Sequence, residues 1–590
     1  MARCKPWLVC CSTFVCLVCT AALVCFFIFS FLDRGCPNGS FKHAAVAADS
    51  LRCSQIGRKM LQEGGSAVDG AIAALLCTSV INPQSMGIGG GSVFTIREKT
   101  GKVKVFNFRE TVPKAFKSNL LNDCPTTSKM TTGTQWIGVP GELRGYEDVH
   151  RRYGKLPWAK LFEPTIKLAR EGIPLPPYLG LLLNIPLAKK HVEKSSLCEV
   201  LCNKNKTVLG KGDMLKFPKL AESMEMIAAQ GAKAFYTGKI GHDLIQDIKD
   251  AGGTMEVEDL ESFRVRVADA WTVPLGDAKL HIAPPPAGGA LLAFILKLLE
   301  GFSLTPDSFH GDQKIQTYHL FIEAAKFANG QKRNIHDPDF NDRKSADHLI
   351  DPTFIDHIRK MISSNRTHEN SYYNVKPSTD HFGTTHVSVL DEDGLAVSAT
   401  STINHLFGGA VYSPRTGIIL NNELSDFCKR ADTLTAGEQP PSSMTPVILE
   451  SKSGGLLVIG GSGGSMITVA VALVTQLVLF ITSFKDSLFV FLHCFLLFSQ
   501  SIMNHLWLGM NLTEAIAAPI VYIDPNNNLN FERFMNHEKF DQSVKDGLLA
   551  LGHKQGDSEY FVNVVNAVEK ENGCIVAVSD SRKLGMSDGY

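Results

Sequence analysis

Residues 382–404 read FGTTHVSVLDEDGLAVSATSTIN. Two runs that alternate with the two-residue period of a strand flank a short acidic turn ending in glycine, so this stretch specifies two neighbouring strands. The first strand opens on Gly383-Thr384-Thr385. Threonine is β-branched and suits a strand without further reason. Its hydroxyl is also a poor nucleophile unless a base stands beside it. A cut between Gly383 and Thr384 would supply that base, because the freed α-amine titrates near ~7.7–8.0, against ~10.4 for a lysine amine. Threonine at a chain terminus is a known variant of nucleophile-base catalysis. Read alone, the stretch leaves strand filler and nucleophile both open.

The remaining features narrow the setting. A chain of 590 residues, 44% hydrophobic and 20% charged, is long enough for a large two-lobed enzyme and ordinary for a folded protein. Lys+Arg and Asp+Glu both number 59. That balance argues against a nucleic-acid partner, which would call for a basic excess. Arg3 and Lys5 precede residues 7–32, which carry no charge, and Asp33-Arg34 ends the run. About 20 apolar residues cross a bilayer. The expected layout is a cytoplasmic tail (1–6), an uncleaved signal-anchor helix (7–32), a stalk (33–42) and an ectodomain, with the positive flank inside. This predicts a single-pass type II protein of the plasma membrane with its catalytic part outside. Asn-x-Ser/Thr sequons at Asn38, Asn205, Asn365 and Asn511 fit that side of the membrane. Of 15 cysteines, six (Cys4, Cys10, Cys11, Cys16, Cys19, Cys25) lie in or before the apolar run. Cys53 with Cys77 and Cys198 with Cys202 are possible disulfide pairs in an oxidising compartment, although sequence does not fix connectivity.

Along the ectodomain the pattern is mixed α/β. HAAVAADS alternates like a strand, 51–65 has helical spacing ending at Gly-Gly, and VDGAIAALLCTSVINP reads as a small-residue core helix. A glycine-rich turn leads into a strand at GSVFTI, and KVKVFNFRE ends at Arg109-Glu110. From about 158 to 376 the chain reads mostly helical, broken by APPPAGGA, and strands return after Gly383. No His/Cys cluster has zinc spacing, and no metal or organic cofactor is expected.

Several residues could complete a site around Thr384. Thr402 and Asn404 end the neighbouring strand. Glu423 and Asp426, three apart, can face one cation such as a substrate ammonium. Ser442 and Ser443 offer paired hydroxyls, and the glycines of LLVIGGSGGSM offer backbone N–H groups for an oxyanion.

These motifs, taken in order, resemble the gamma-glutamyltransferases, which are N-terminal-nucleophile hydrolases. The resemblance runs from HAAVAADS through NPQSMGIGGGSVF, NFRE, GVPGELRGY, PPPAGGALL, TTHVSV, SATSTIN, SPRTGIILNNE and PSSM to SDSRKLGMSDGY. TTHVSVL and NPQSMG are closest to the gamma-glutamyltransferase 5, leukotriene C4 hydrolase-like branch. The resemblance implies an αββα sandwich, autocatalytic cleavage after Gly383, and a heterodimer of a large subunit (43–383) and a small catalytic one (384–590). Thr384 would be the nucleophile and Thr402 the hydroxyl that positions it. Arg109, Ser442 and Ser443 would hold the substrate α-carboxylate, and Asn404, Glu423 and Asp426 the α-ammonium. Gly463 and Gly464 would supply the oxyanion N–H groups. Cys53–Cys77 and Cys198–Cys202 match the family's disulfides. The implied substrates are glutathione, its S-conjugates and leukotriene C4, with water or an amino acid or dipeptide as acceptor.

Two other readings compete. GGSGG fits the G-x-S-x-G elbow of α/β-hydrolases, with Ser462 as nucleophile and Asp524 and His553 downstream. A processing-defective, membrane-anchored homologue without activity is the second. It is motivated by an apolar stretch at 475–501 that splits a helix relatives keep continuous. Packed into the catalytic core it would find no room, and exposed it would form a large apolar patch. A retained intron is the favoured origin of that segment.

Overall fold

The computed structural model describes residues 36–124, 132–304, 308, 311, 313–340, 346–375, 383–475, 511–534, 537–538, 540–556 and 564–590. The anchor expected at 7–32 lies outside the described residues, as does nearly all of the apolar stretch at 475–501. Among the described residues no helix is long and apolar enough to cross a membrane.

Numbered in chain order, the elements that frame the site are β1 (Ala45–Ala47), α1 (Leu51–Gln62), α2 (Ala67–Ile81), β2 (Gly91–Arg97), β3 (Val103–Asn107), β4 (Arg266–Asp269), β5 (Trp271–Leu275), β6 (Ala278–Ile282), α3 (Gly289–Glu300), α4 (Gln313–Gln331), β7 (Thr384–Leu390), β8 (Ala396–Thr402), β9 (Val447–Ser451), β10 (Leu456–Ser462), α5 (Ile467–Thr475), β11 (Val564–Glu571), β12 (Cys574–Val578) and β13 (Asp588–Gly589). A seven-stranded sheet runs β13-β1-β7-β8-β2-β3-β4, and a six-stranded sheet runs β12-β11-β10-β9-β6-β5. The two sheets face each other through β7, β8, β10 and β11, with α2 behind the first sheet and α3 and α5 behind the second. This is the helix–sheet–sheet–helix order that the resemblance implies.

Residue chemistry explains the layers. Helix α2 is buried on every side, from Ala67 to Ile81, and Ser66 and Asp69 close its N-terminus with a capping box. Val387 and Val389 of β7 point into the large core beneath α1 and α2. The opposite face of β7 looks into the gap between the sheets, where an apolar cluster that includes Leu390, Ile448, Val458 and Val568 is joined by polar bridges. Ser388 Oγ donates to Asn566 O (3.1 Å), Ser398 Oγ donates to Ile459 O (2.8 Å), and Asn566 Nδ2 donates to His386 O (2.7 Å). Buried polar groups are tolerable when paired in this way. Gly460 is part of the same fit, because a Cβ there would stand 2.3 Å from the His386 ring.

The expected disulfides Cys53–Cys77 and Cys198–Cys202 are present. Two more, Cys36–Cys574 and Cys124–Cys428, were not anticipated, since sequence spacing carries no signal for partners 538 and 304 residues apart. Both cross from the part before Gly383 to the part after it. Asn38, Asn205, Asn365 and Asn511 are all exposed.

Candidate active site

Strands β7 and β8 pair antiparallel, and the register sets Thr402 directly opposite Thr384. Thr402 Oγ1 donates to the carbonyl oxygen of Gly383 at 2.6 Å and accepts from Asn404 N at 2.7 Å. The hydroxyl expected to serve Thr384 therefore lies on the carbonyl that precedes it. Gly383 does not have a left-handed backbone. Space is what requires glycine here, because a Cβ would fall 2.3 Å from Asn404 O and 2.6 Å from His405 O. Thr385 faces away, as the strand period demands, and donates to Asp49 Oδ2 at 2.7 Å.

His386, the obvious alternative base, is enclosed between the sheets with its ring nitrogens on Thr400 Oγ1 and Ser388 Oγ. Burial pushes its pKa down to about 3, so it is neutral at physiological pH. Its role is structural.

Thr384 opens onto a cleft of about 840 Å³, counted to its open mouth, whose wall includes Arg109, Thr402, Asn404, Glu423, Asp426, Ser442, Ser443 and Gly464. Of the residues expected at the site, Gly383 and Gly463 are not on this wall, but each directly precedes a residue that is. Gly463 and Gly464, at φ of 132° and 61°, take conformations closed to most side chains. They turn β10 into α5, whose first residue, Ile467, also lines the cleft. First-turn N–H groups of a helix lack partners within the helix, which suits an anion at this end. Ser442 and Ser443 are held by the APPPAGGA loop. Ser442 N donates to Pro286 O (2.8 Å), and Gly288 N donates to Met444 O (2.9 Å).

Glu423 and Asp426 do face one cation, but in the structure that cation is Arg109. Its Nη2 is 2.7 Å from Glu423 Oε2 and 2.5 Å from Asp426 Oδ2. The Arg109 side chain is further fixed by Nε donating to Pro440 O at 2.9 Å. Burial opposes its charge, yet Glu423 and Asp426 outweigh burial and raise its pKa. Burial also pushes Glu423 up, against the pull of Arg109. Asn404 takes a left-handed backbone (φ 73°), which asparagine tolerates, and its Nδ2 donates to Asp426 Oδ1 at 3.1 Å. A zwitterion with a carboxylate and an ammonium could exchange with this internal pairing without changing the net charge of the cleft.

Sequence reading missed two groups. Lys583 is buried, and its Nζ donates to Thr384 O (2.6 Å), Ser462 Oγ (2.6 Å) and Asp49 Oδ2 (3.1 Å). Its signal was available in SDSRKLGMSDGY, as that of Asp49 was in HAAVAADS. Glu110 is buried beside Arg109, and burial, with Glu423 adding to it, pushes its pKa well above the usual carboxylate range against the pull of Arg109.

The Ser462 reading is not assembled. Ser462 Oγ meets Lys583, whereas the ring of His553 is engaged by His319 (Nε2 to Nδ1, 2.8 Å) and Lys326 (Nδ1 to Nζ, 2.8 Å). His319, Glu323 and His553 do converge within reach of a single ion, which no sequence spacing indicated. Their atoms are nonetheless committed to protein partners. His319 Nε2 meets Ser363 O, and Glu323 accepts from the Thr367 and Tyr373 hydroxyls. None of the three lines the Thr384 cleft.

The fold is shared with solved structures. Cephalosporin acylase from Bacillus halodurans superposes with a TM-score of 0.78 at 21% identity, over 93% of this chain and 96% of that one. Sequence likeness is closer. The chain is 45% identical to rat glutathione hydrolase 5 proenzyme over 573 residues, covering 95% of this chain and 94% of the relative. To the human glutathione hydrolase 5 proenzyme it is 43% identical over 584 residues, covering 94% of each. The gamma-glutamyltranspeptidase family model matches residues 53–488 and 496–590. With that match lying over the whole Thr384 cleft, the chain belongs to the gamma-glutamyltranspeptidase family.

Proposed function

We propose that this protein is an extracellular γ-glutamyl hydrolase and transferase that cuts itself between Gly383 and Thr384 and then uses Thr384 as nucleophile. The observation that carries the reading is the Thr402 Oγ1 bond to the Gly383 carbonyl, with Thr384 on the same cleft as Arg109, Glu423 and Asp426. In the self-cleavage, Thr384 Oγ attacks the Gly383 carbonyl carbon, Thr402 stabilises the oxygen, and the peptide C–N bond gives way to an ester that water hydrolyses. The freed Thr384 amine then takes the Oγ proton as Oγ attacks the γ-carbonyl of the substrate. The amide C–N bond breaks, the amine passes its proton to the leaving group, and a γ-glutamyl–threonine ester remains for water or an acceptor amine. Arg109, Ser442 and Ser443 serve the α-carboxylate, and Asn404, Glu423 and Asp426 the α-ammonium. Gly463 and Gly464 serve the oxyanion.

The relatives named glutathione hydrolase 5 support glutathione as substrate. Glutathione S-conjugates and leukotriene C4 share its γ-glutamyl part and are proposed with it. The uncharged run at 7–32 supports a type II plasma-membrane anchor. The test is a reducing gel with N-terminal sequencing of the smaller chain, alongside release assays on glutathione and leukotriene C4. A small chain beginning at Thr384, absent in Thr384→Ala, is the expected result. An uncut, fully active Thr384→Ala protein would end the proposal.

One observation favours the inactive-homologue reading. The family match is interrupted at 489–495, inside the 475–501 insertion. Transcript sequencing decides whether that segment is retained intron, and processing of the 590-residue form decides whether it is tolerated.

A further inference from the structure

We infer that Arg430 reads a second negative charge, a carboxylate on the leaving-group side of the scissile bond. The cleft would then select γ-glutamyl peptides ending in a free carboxylate over neutral γ-glutamyl amides. This rests on the γ-glutamyl reading of the site and deepens it.

Arg430 is on the wall of the same cleft as Thr384 and Arg109. The residue as a whole is half-buried, yet its Nε and Nη2 are shut off from solvent with no hydrogen-bond partner. Nη1 makes one long contact, 3.5 Å to Pro441 O. A buried guanidinium with idle donors is costly unless something pairs with it. The opposing charge that acts on it is Asp426, whose two oxygens already serve Arg109 Nη2 and Asn404 Nδ2. Burial lowers the pKa of Arg430 to about 10, which still leaves it cationic at neutral pH. Its two idle N–H groups form the planar fork that matches a carboxylate, and a turn of the side chain toward the cleft would present them to one.

The position of Arg430 is held from outside the cleft. Cys428, two residues earlier, is bonded to Cys124 and also lines the wall. Lys332, Arg333 and Lys429 stand on the same wall. A cleft walled by cations at this point draws in anionic substrates.

The inner pole is already provided with Arg109 and two serines for one carboxylate. A second guanidinium is therefore left for the second carboxylate of a molecule such as glutathione. The experiment compares two chromogenic substrates on the full-length protein, γ-glutamyl-4-nitroanilide and γ-glutamyl-3-carboxy-4-nitroanilide, which differ by one carboxylate. Glutathione and its C-terminal amide repeat the contrast with a peptide. The unaltered protein is expected to favour the carboxylated member by about tenfold in kcat/KM, the worth of one charge-assisted contact. Arg430→Met should lose that factor on the carboxylated substrate and keep the neutral one within about twofold. Arg430→Gln gives a second variant if the first folds poorly. No preference in the unaltered protein would overturn the inference. So would an equal loss on both substrates, which would move Arg430 to the γ-glutamyl pole or to the fold. Unaltered protein that cleaves none of the four would refute the γ-glutamyl reading itself, and this one with it.

Discussion

Thr402→Val is the sharpest perturbation of the proposed self-cleavage. Valine keeps the β-branched shape that suits the strand and removes only the hydroxyl. That hydroxyl makes two bonds, to Gly383 O at 2.6 Å and from Asn404 N at 2.7 Å. Losing a donor aimed at a developing oxyanion costs about 10²–10³ in rate, or about 2.7–4 kcal/mol of barrier. Two to three decades is therefore the expected slowing of cleavage at Gly383, at about 1.36 kcal/mol per decade. Asn404 N also loses its acceptor, which removes about 1–3 kcal/mol of stability if the group stays buried and unpaired. Pulse-chase labelling with reducing gels follows the fraction cut over time, and urea unfolding of the precursor reads the stability loss separately. Thr402→Ser, which restores the hydroxyl, should recover most of the rate. Cleavage of Thr402→Val with the half-time of the unaltered protein would refute the argument, whatever happened to stability.

Three further outcomes are expected. Because Cys36–Cys574 and Cys124–Cys428 span the cut, the processed protein should run as one band without reductant and as two with it; two bands without reductant would disprove those pairings. Lys583→Met leaves Asp49 buried with one charge partner fewer, and chemical denaturation should show a loss of about 3–5 kcal/mol; a loss under about 1 kcal/mol would mean that Lys583 contributes little there. His386 binds its proton far more weakly folded than unfolded, about 3 against 6.5, so its contribution is complete above pH 6.5 and is lost as pH falls toward 3. The stability gap between the unaltered protein and His386→Asn should therefore shrink by about 1.4 kcal/mol per pH unit between about pH 6 and 4. A gap constant with pH would put a charged ring between the sheets.

Much of the local structure is written in local pattern. Strands β7 and β8, the capped helix α2 and the glycine turn before α5 each follow from a period or a residue type that acts over a few positions. The hairpin that brings Thr384, Thr402 and Asn404 together is equally local, whereas their expected roles came from the resemblance carried by the ordered motifs. The spacing of Glu423 and Asp426, three apart and able to face one cation, was also a local signal. That the cation is Arg109 was not local. Arg109 lies over 300 positions earlier and is brought alongside by pairing across the seven-stranded sheet.

The sequence by itself determined the elements and the hairpin that sets Thr384 beside its partners, since periodicity and β-branching act between near neighbours. Only the tertiary structure decided the rest. It made Gly383 a matter of space rather than torsion, joined the two halves by Cys36–Cys574 and Cys124–Cys428, and set Lys583 beneath Thr384. It also left two buried N–H groups of Arg430 without a partner at the cleft wall. Each depends on which distant segments share one buried volume, and burial and pairing across that distance leave no trace in local spacing.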